Sequence, residues 1–99
     1  MLSSYKLPKL PKSAKRIILV LSEEGQMTQK DLINMTKIPA KTVRYALKRL
    51  NEQKLVISQH NLEDMRSMFY SLNPDVDFSF MNQIIDNARK LVAAEQIIN

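Results

Sequence analysis

Apolar side chains recur at helical spacing along the first half of the chain. The first such segment covers about residues 13–24, where Ser13 can cap the helix and Gly25 is suited to end it. The second begins at Thr28, with Asp31 three residues later in the arrangement of a capping box. The connector between the two is too short for more than a minimal strand. We therefore predict two helices, the second of which is expected to pack inward through Leu32, Ile33 and Met35.

A third helical pattern spans about residues 39–53 and follows a turn at residues 36–39. Its apolar stripe consists of Val43, Ala46, Leu47 and Leu50. The opposite side is basic and aromatic: at ~100° per residue it consists of Lys41, Tyr45 and Lys48, flanked by Arg44 and Arg49. Two short helices around a tight turn, the second basic on its outer side, are typical of a helix-turn-helix unit. In such units the second helix enters the major groove of DNA.

Two strands separated by a polar tip are predicted after this helix. Residues 55–59 are rich in β-branched side chains, residues 66–72 form the second strand, and Asn73 with Pro74 ends it. His60, the only histidine of the chain, begins the tip. The pattern predicts a β-hairpin, and a hairpin directly after a recognition helix is typical of the wing in a winged helix.

The last helical pattern runs from about residue 75 to residue 98 and can be capped by Asp75 or Asp77. At about 1.5 Å per residue this helix is roughly 35 Å long, which is longer than a three-helix core can cover. Its wide apolar stripe therefore needs a partner, and we predict the same helix of a second subunit. The predicted interface residues are Phe78, Met81, Ile84, Ile85, Ala88, Leu91, Val92 and Ile98.

Charge is distributed unevenly along the chain. The 99 residues include 15 lysines and arginines against 10 aspartates and glutamates, and the excess lies in residues 1–54. Residues 1–12 form a basic arm in which Pro8 and Pro11 discourage helix. It is either a frayed terminus or an arm that touches DNA phosphate or a partner subunit. This distribution favours an anionic partner such as DNA phosphate. We therefore divide the chain into the arm at 1–12, a DNA-binding domain at 13–73 and the C-terminal helix at 75–98.

The composition argues against catalysis, metal binding and membrane insertion. The chain has no cysteine, one histidine and one glycine, so metal ligands are scarce and a glycine-rich phosphate loop is excluded. We expect no enzyme activity, no metal and no cofactor. A small-molecule effector bound among the six methionines is an alternative that no residue pattern supports. No targeting signal or bilayer-spanning stretch is apparent, so we expect a cytoplasmic, nucleoid-associated protein.

Two segments, TQKDL at 28–32 and IPAKTVRYALKRLNEQKLV at 38–56, resemble winged helix-turn-helix proteins of the MarR/ArsR-like kind. The likeness is to a compact form common among archaeal transcription regulators and covers about residues 13–73. It implies an α+β, mostly α fold: three helices, a β-hairpin wing and a long C-terminal dimerisation helix. Lys54 stands where this family usually has glycine, so we expect a turn of different shape there.

The resemblance also implies roles for single residues. Thr42 resembles the hydroxyl at the helix start that grips a phosphate, and Arg66 resembles the wing arginine. The positions that reach base edges or backbone match Lys41, Arg44, Tyr45 and Lys48. A lone wing arginine departs from the Asp-Arg-Arg tip that is frequent in such families. From charge alone, Lys48 and Arg49 are expected on phosphates, while Lys41 and Arg44 suit guanine O6 and N7.

Three functions fit these features to different degrees. The first is a sequence-specific, homodimeric transcription regulator that binds double-stranded DNA. The second is a chromatin-type protein that coats DNA without sequence preference, which the lysine-rich arm and the small size would suit. The third is a protein-interaction winged helix of the transcription machinery, against which the basic recognition helix argues.

Overall fold

The computed structural model describes residues 7–64 and 66–98, and within them it forms four helices and a three-stranded sheet. The elements in chain order are α1 (Lys12–Glu24), β1 (Met27–Thr28), α2 (Gln29–Thr36), α3 (Ala40–Glu52), β2 (Val56–His60), β3 (Met68–Leu72) and α4 (Phe78–Ile98). This mostly helical α+β arrangement, with a hairpin after α3 and a long last helix, confirms the predicted fold class.

The sheet places β3 in the centre, with strand order β1-β3-β2 and both neighbours antiparallel. Tyr70 is paired on both sides, with Met27 of β1 and Ser58 of β2. The short connector after α1 therefore forms the minimal strand β1, one of the two forms that its length permits. Because β1 leads directly into α2, this pairing attaches the start of α2 to the base of the wing.

The ends of α1 and α2 confirm one predicted cap and correct another. Thr28 Oγ1 accepts a hydrogen bond from the Asp31 N–H at 3.1 Å, and Asp31 Oδ2 accepts one from the Thr28 N–H at 3.2 Å, which completes the capping box. The expected cap at Ser13 is wrong, because the N-cap of α1 is Pro11, two residues earlier, and no side chain caps the helix. Gly25 ends α1 at φ +84°, a conformation that L side chains rarely adopt.

The described part of the predicted arm lies against the body of the protein. Residues 1–6 are outside the described residues. Leu10 is buried in the core, and a shallow pocket beside Ile84 of α4 is lined by Leu7 and Leu10. Lys12 already belongs to α1, and its Nζ lies 4.0 Å from Glu95 Oε2 near the other end of α4. The start of the described chain therefore packs against α4.

The core joins α1 to each of the other helices and to the base of the wing. From α2 it takes Leu32, while Ile33 is half-buried and Met35 is 51% exposed, so the inward packing expected of Met35 is wrong. From α4 it takes Met81 and Ile84. The fully buried large side chains are Ile17, Ile18, Leu32, Val43, Leu50 and Val56.

Lys54 sits in the left-handed backbone region, at φ +62°, in the turn between α3 and β2. The expectation of a different turn is therefore wrong, because the lysine adopts the conformation that glycine would take. Two hydrogen bonds hold it there: the Lys54 N–H donates to the Asn51 carbonyl at 3.0 Å, and Asn73 Nδ2 donates to the Lys54 carbonyl at 2.9 Å. The Asn73 side chain thus ties this turn to the end of the wing.

Replacing Lys54 by glycine is expected to stabilise the protein by about 0.5–1 kcal/mol. Glycine removes the roughly 1 kcal/mol or more that a side chain costs in a left-handed turn, and the greater freedom of the unfolded chain offsets part of the gain. The matched control is Lys54→Ala, which removes the charge and keeps the Cβ, and should change stability little. Urea unfolding of both variants measures the difference. Equal free energies of unfolding for Lys54→Gly and Lys54→Ala would contradict backbone strain at this position.

Candidate nucleic-acid interface

The recognition helix α3 separates a buried face from a charged one, as its sequence predicts. Val43, Ala46, Leu47 and Leu50 are buried. On the other side the side chains of Lys41, Arg44, Tyr45 and Lys48 are exposed. Thr42 and Arg49 are half-buried, with Thr42 in the first turn of the helix. All six predicted contact residues of α3 therefore retain surface toward solvent.

Tyr45 and Arg49 form one unit on this helix. Arg49 Nη1 donates a hydrogen bond to the Tyr45 hydroxyl at 3.3 Å, and the guanidinium lies 6.0 Å from the centre of the tyrosine ring. The separation of four residues places both side chains on the same side of one turn. The tyrosine therefore restricts the arginine and leaves its other N–H groups free to donate to phosphate.

The turn before α3 is held by hydrogen bonds that converge on Thr36, the one buried polar residue among those described. Thr36 Oγ1 donates to the Leu32 carbonyl at 2.6 Å and accepts from the Ile38 N–H at 3.2 Å, and Arg16 of α1 donates to the Thr36 carbonyl at 3.2 Å. These bonds fix the start of α3 relative to α1 and α2. Sequence reasoning did not single out Thr36 or Arg16, because neither stands in a recognisable capping pattern.

The tip of the wing is closed by its own polar groups. Asn61 Oδ1 accepts hydrogen bonds from the Glu63 and Asp64 N–H groups, and Asn61 Nδ2 donates to Ser67 Oγ. Arg66 Nε lies 3.5 Å from Asp64 Oδ1, but the arginine side chain is 94% exposed. An ion pair this exposed contributes little to stability. Arg66 is therefore available to an anionic partner.

Two grooves lie on the side of the sheet that faces α3 and α2. The first, the helix-side groove, measures about 360 Å³ and is lined by Arg44, Lys48 and Glu52 of α3 and by Ser58 of β2. The second, the wing-side groove, measures about 610 Å³ and is lined by Lys30 of α2 and by Asp64, Arg66 and Met68 of the wing. Gln29 and Tyr70 line both grooves. Each groove thus carries two cations and one carboxylate, and the two grooves meet at Gln29 and Tyr70.

These grooves bring together part of the predicted DNA contact set. Arg44 and Lys48 line one groove and Arg66 lines the other. Lys41, Thr42, Tyr45 and Arg49 line neither. Gln29, Lys30, Ser58 and Tyr70 line the same surface and were not predicted. The sequence signal for Tyr70 is weak: side chains alternate along β3, so Tyr70 shares a face with the partly buried Leu72 and fits the pattern of an ordinary core strand.

The predicted dimer residues of α4 fall into two groups. Met81, Ile84 and Ala88 are buried in the chain itself, where α4 packs against α1, so they offer no surface to a partner in this conformation. Outside this buried stripe, Phe78 is 80% exposed and Ile85, Leu91 and Val92 are half-buried. The Ile98 side chain lies outside the described residues. Phe78 and Ile85 also line an apolar groove of about 430 Å³ between α4 and the end of α1.

The described residues offer little for a metal site or a membrane-spanning helix. No three histidine, aspartate or glutamate side chains among residues 7–64 and 66–98 are grouped as a metal site would require. In the same part of the chain, every buried side-chain nitrogen or oxygen has a hydrogen-bond partner. No described helix is long and apolar enough to cross a membrane.

Several solved structures share this fold. The adhesin competence repressor AdcR of Streptococcus pyogenes is 19% identical, with a TM-score of 0.70 over 91% of this chain and 66% of AdcR. The zinc-responsive MarR family member ZitR of Lactococcus lactis is 25% identical, with a TM-score of 0.70 over 94% of this chain and 63% of ZitR. BpsR of Bordetella bronchiseptica, whose DNA binding is regulated by 6-hydroxynicotinic acid, is 22% identical, with a TM-score of 0.72 over 94% of this chain and 70% of BpsR.

A family comparison agrees with these structures. The chain spans about two thirds or less of the length of AdcR and ZitR, and a search of curated proteins gives no match. A model of the MarR family matches residues 9–67, which run from the residues before α1 to the end of the wing tip. Because this match covers more than half of the sequence, the chain belongs to the MarR family.

Proposed function

We propose that the chain is a homodimeric, sequence-specific transcription regulator that binds double-stranded DNA through α3 and the wing. The observation that carries this proposal is one surface on which α3 and the wing both present cations, Arg44 and Lys48 beside one groove and Arg66 beside the next. MarR family membership supports the same function. The chain acts by binding, and we propose no chemical step for it.

Each residue of α3 has a proposed task. Lys41 and Arg44 are exposed and long enough to donate to guanine O6 and N7 in the major groove. Lys48 and the Tyr45–Arg49 unit bind phosphates, since charge and a fixed geometry suit backbone contacts. Thr42, in the first turn, donates its hydroxyl to a phosphate. Arg66 approaches the backbone or the minor groove from the wing.

The second subunit is proposed to pack on the outer side of α4. Phe78 is the most exposed residue of the predicted interface, and Ile85, Leu91 and Val92 retain apolar surface beside it. Burying such a surface between two subunits is the common way for a homodimer to form. A dimer presents two copies of α3 and suits an inverted-repeat site on chromosomal DNA in the nucleoid.

Selection of bound duplexes from a random pool tests the proposed function. We expect an inverted repeat whose half-sites lie about one helical turn, or 10–10.5 base pairs, apart. Bound sequences without any consensus, together with one salt dependence for all duplexes, would instead support the chromatin-type alternative. No bound DNA at low salt would contradict both and leave the protein-interaction alternative.

A further inference from the structure

Gln29 and Tyr70 occupy the point where the two grooves meet. Tyr70 lies in the central strand and is paired with both neighbouring strands, so its backbone is among the most restrained in the sheet. Its ring is half-buried and packs against the core. Gln29 is the first residue of α2 and is also half-buried. The tyrosine ring is therefore held in place before any partner binds, and Gln29 lines both grooves beside it.

The polar ends of these side chains have no hydrogen-bond partner among residues 7–64 and 66–98. No described residue forms a hydrogen bond with the Tyr70 hydroxyl or with the Gln29 side-chain amide, although the adjacent Thr28 side chain is bonded. Both groups can donate to an oxygen acceptor. Neutral donors of this kind commonly bind the phosphate and sugar oxygens of DNA.

The surrounding charges favour an extended anion. Arg44 and Lys48 lie on one side of Gln29 and Tyr70, while Lys30 and Arg66 lie on the other. The carboxylates of Glu52 and Asp64 each line only one of the two grooves, and Asp64 is paired with Arg66. A strand of phosphates that runs across both grooves would meet cations at each side and the two neutral donors in the middle.

We propose that the Tyr70 hydroxyl and the Gln29 amide bind one backbone phosphate of the DNA between the recognition helix and the wing. This inference rests on the proposed DNA-binding function and adds a contact that does not depend on a charged residue. The contact fixes the distance of α3 from the backbone strand, because the tyrosine is attached to the central strand of the sheet. It positions the protein and reads no base.

Substitution of Tyr70 by phenylalanine tests the hydroxyl alone. The ring and its packing remain, so thermal unfolding should match that of the parent protein. We expect the affinity for a selected duplex and for a random duplex to fall by the same factor, about fivefold to a hundredfold, because the homodimer loses one hydrogen bond in each half-site. The slope of log affinity against log salt should not change, because a neutral donor displaces no counterion.

Two further variants sharpen the comparison. Ser71→Ala removes a hydroxyl from the next position of the same strand, which faces the apolar groove beside α4, and should leave DNA affinity unchanged. Gln29→Ala should lower affinity in the same way as Tyr70→Phe. Loss of affinity only for the selected sequence would show that Tyr70 reads a base, which would overturn the proposed phosphate contact.

Methylphosphonate substitution locates the phosphate. When a neutral methylphosphonate replaces each phosphate of the site in turn, one position should lower the DNA affinity of the parent protein. At that position the additional loss of affinity should be clearly smaller in Tyr70→Phe than in Ser71→Ala. Equal losses at every position in both variants would overturn the proposal. If the parent protein and Tyr70→Phe bind DNA equally well, the proposed contact is refuted but DNA binding stands. If the parent protein binds no DNA, the proposed function itself is refuted.

Discussion

Substitution of Arg44 by glutamine is expected to weaken binding of the homodimer to the selected DNA site by about thirtyfold or more. A bidentate arginine contact with guanine provides about 1–3 kcal/mol of discrimination against the wrong base, and a homodimer loses that contact in both half-sites. The Arg44 side chain is exposed beside the helix-side groove, and we propose that it makes this contact. Preference for one base pair per half-site should relax, while binding to random duplexes should fall much less.

The matched control for this prediction is Lys90→Gln. Lys90 lies on α4, is exposed, and at ~100° per residue stands about 140° around the helix from Ile85. The substitution therefore changes the net charge equally, away from both grooves and from the proposed dimer surface. We expect less than about a twofold change in affinity, as for a distant surface charge screened by salt. Equal effects of the two substitutions on all duplexes would mean that Arg44 contributes only general charge, in agreement with the chromatin-type alternative.

The elements of this fold follow from local patterns that tertiary packing does not override. The capping box of Thr28 and Asp31, the stripe of α3 and the strand pair of the wing each depend on residues within one turn or one hairpin, and all are observed. Errors arise where several conformations satisfy the same local pattern. A helix capped by Ser13 and a helix that begins after Pro11 fit the same pattern, and α1 takes the earlier start.

The division of α4 into a core face and an outer face could not be predicted from its sequence. An apolar stripe shows that a helix must be covered, but it does not show whether the chain itself or a second subunit covers it. The answer depends on where α1 lies, which is set by contacts between residues far apart in sequence. For the same reason the position of Tyr70 where the two grooves meet could not be predicted, because it follows from the pairing of β3 with β1.

Alanine substitution of Ile84 is expected to lower the free energy of unfolding by about 3 kcal/mol, within the usual 2–5 kcal/mol for a buried isoleucine. Ile84 is only 3% exposed and belongs to the core cluster that α4 shares with α1. For a chain of this size the melting temperature should fall by roughly 10–20 °C. The dissociation constant of the dimer, measured by sedimentation where the variant remains folded, should change little.

The neighbouring isoleucine provides the matched control, because Ile85→Ala makes the same change on the half-buried side of the helix. It should lower the free energy of unfolding by less than Ile84→Ala, and it should weaken the dimer if a second subunit covers this side. Urea unfolding at several protein concentrations separates the two effects, since only dissociation depends on concentration. A weaker dimer in Ile84→Ala with unchanged protomer stability would place the interface on the face that α1 covers.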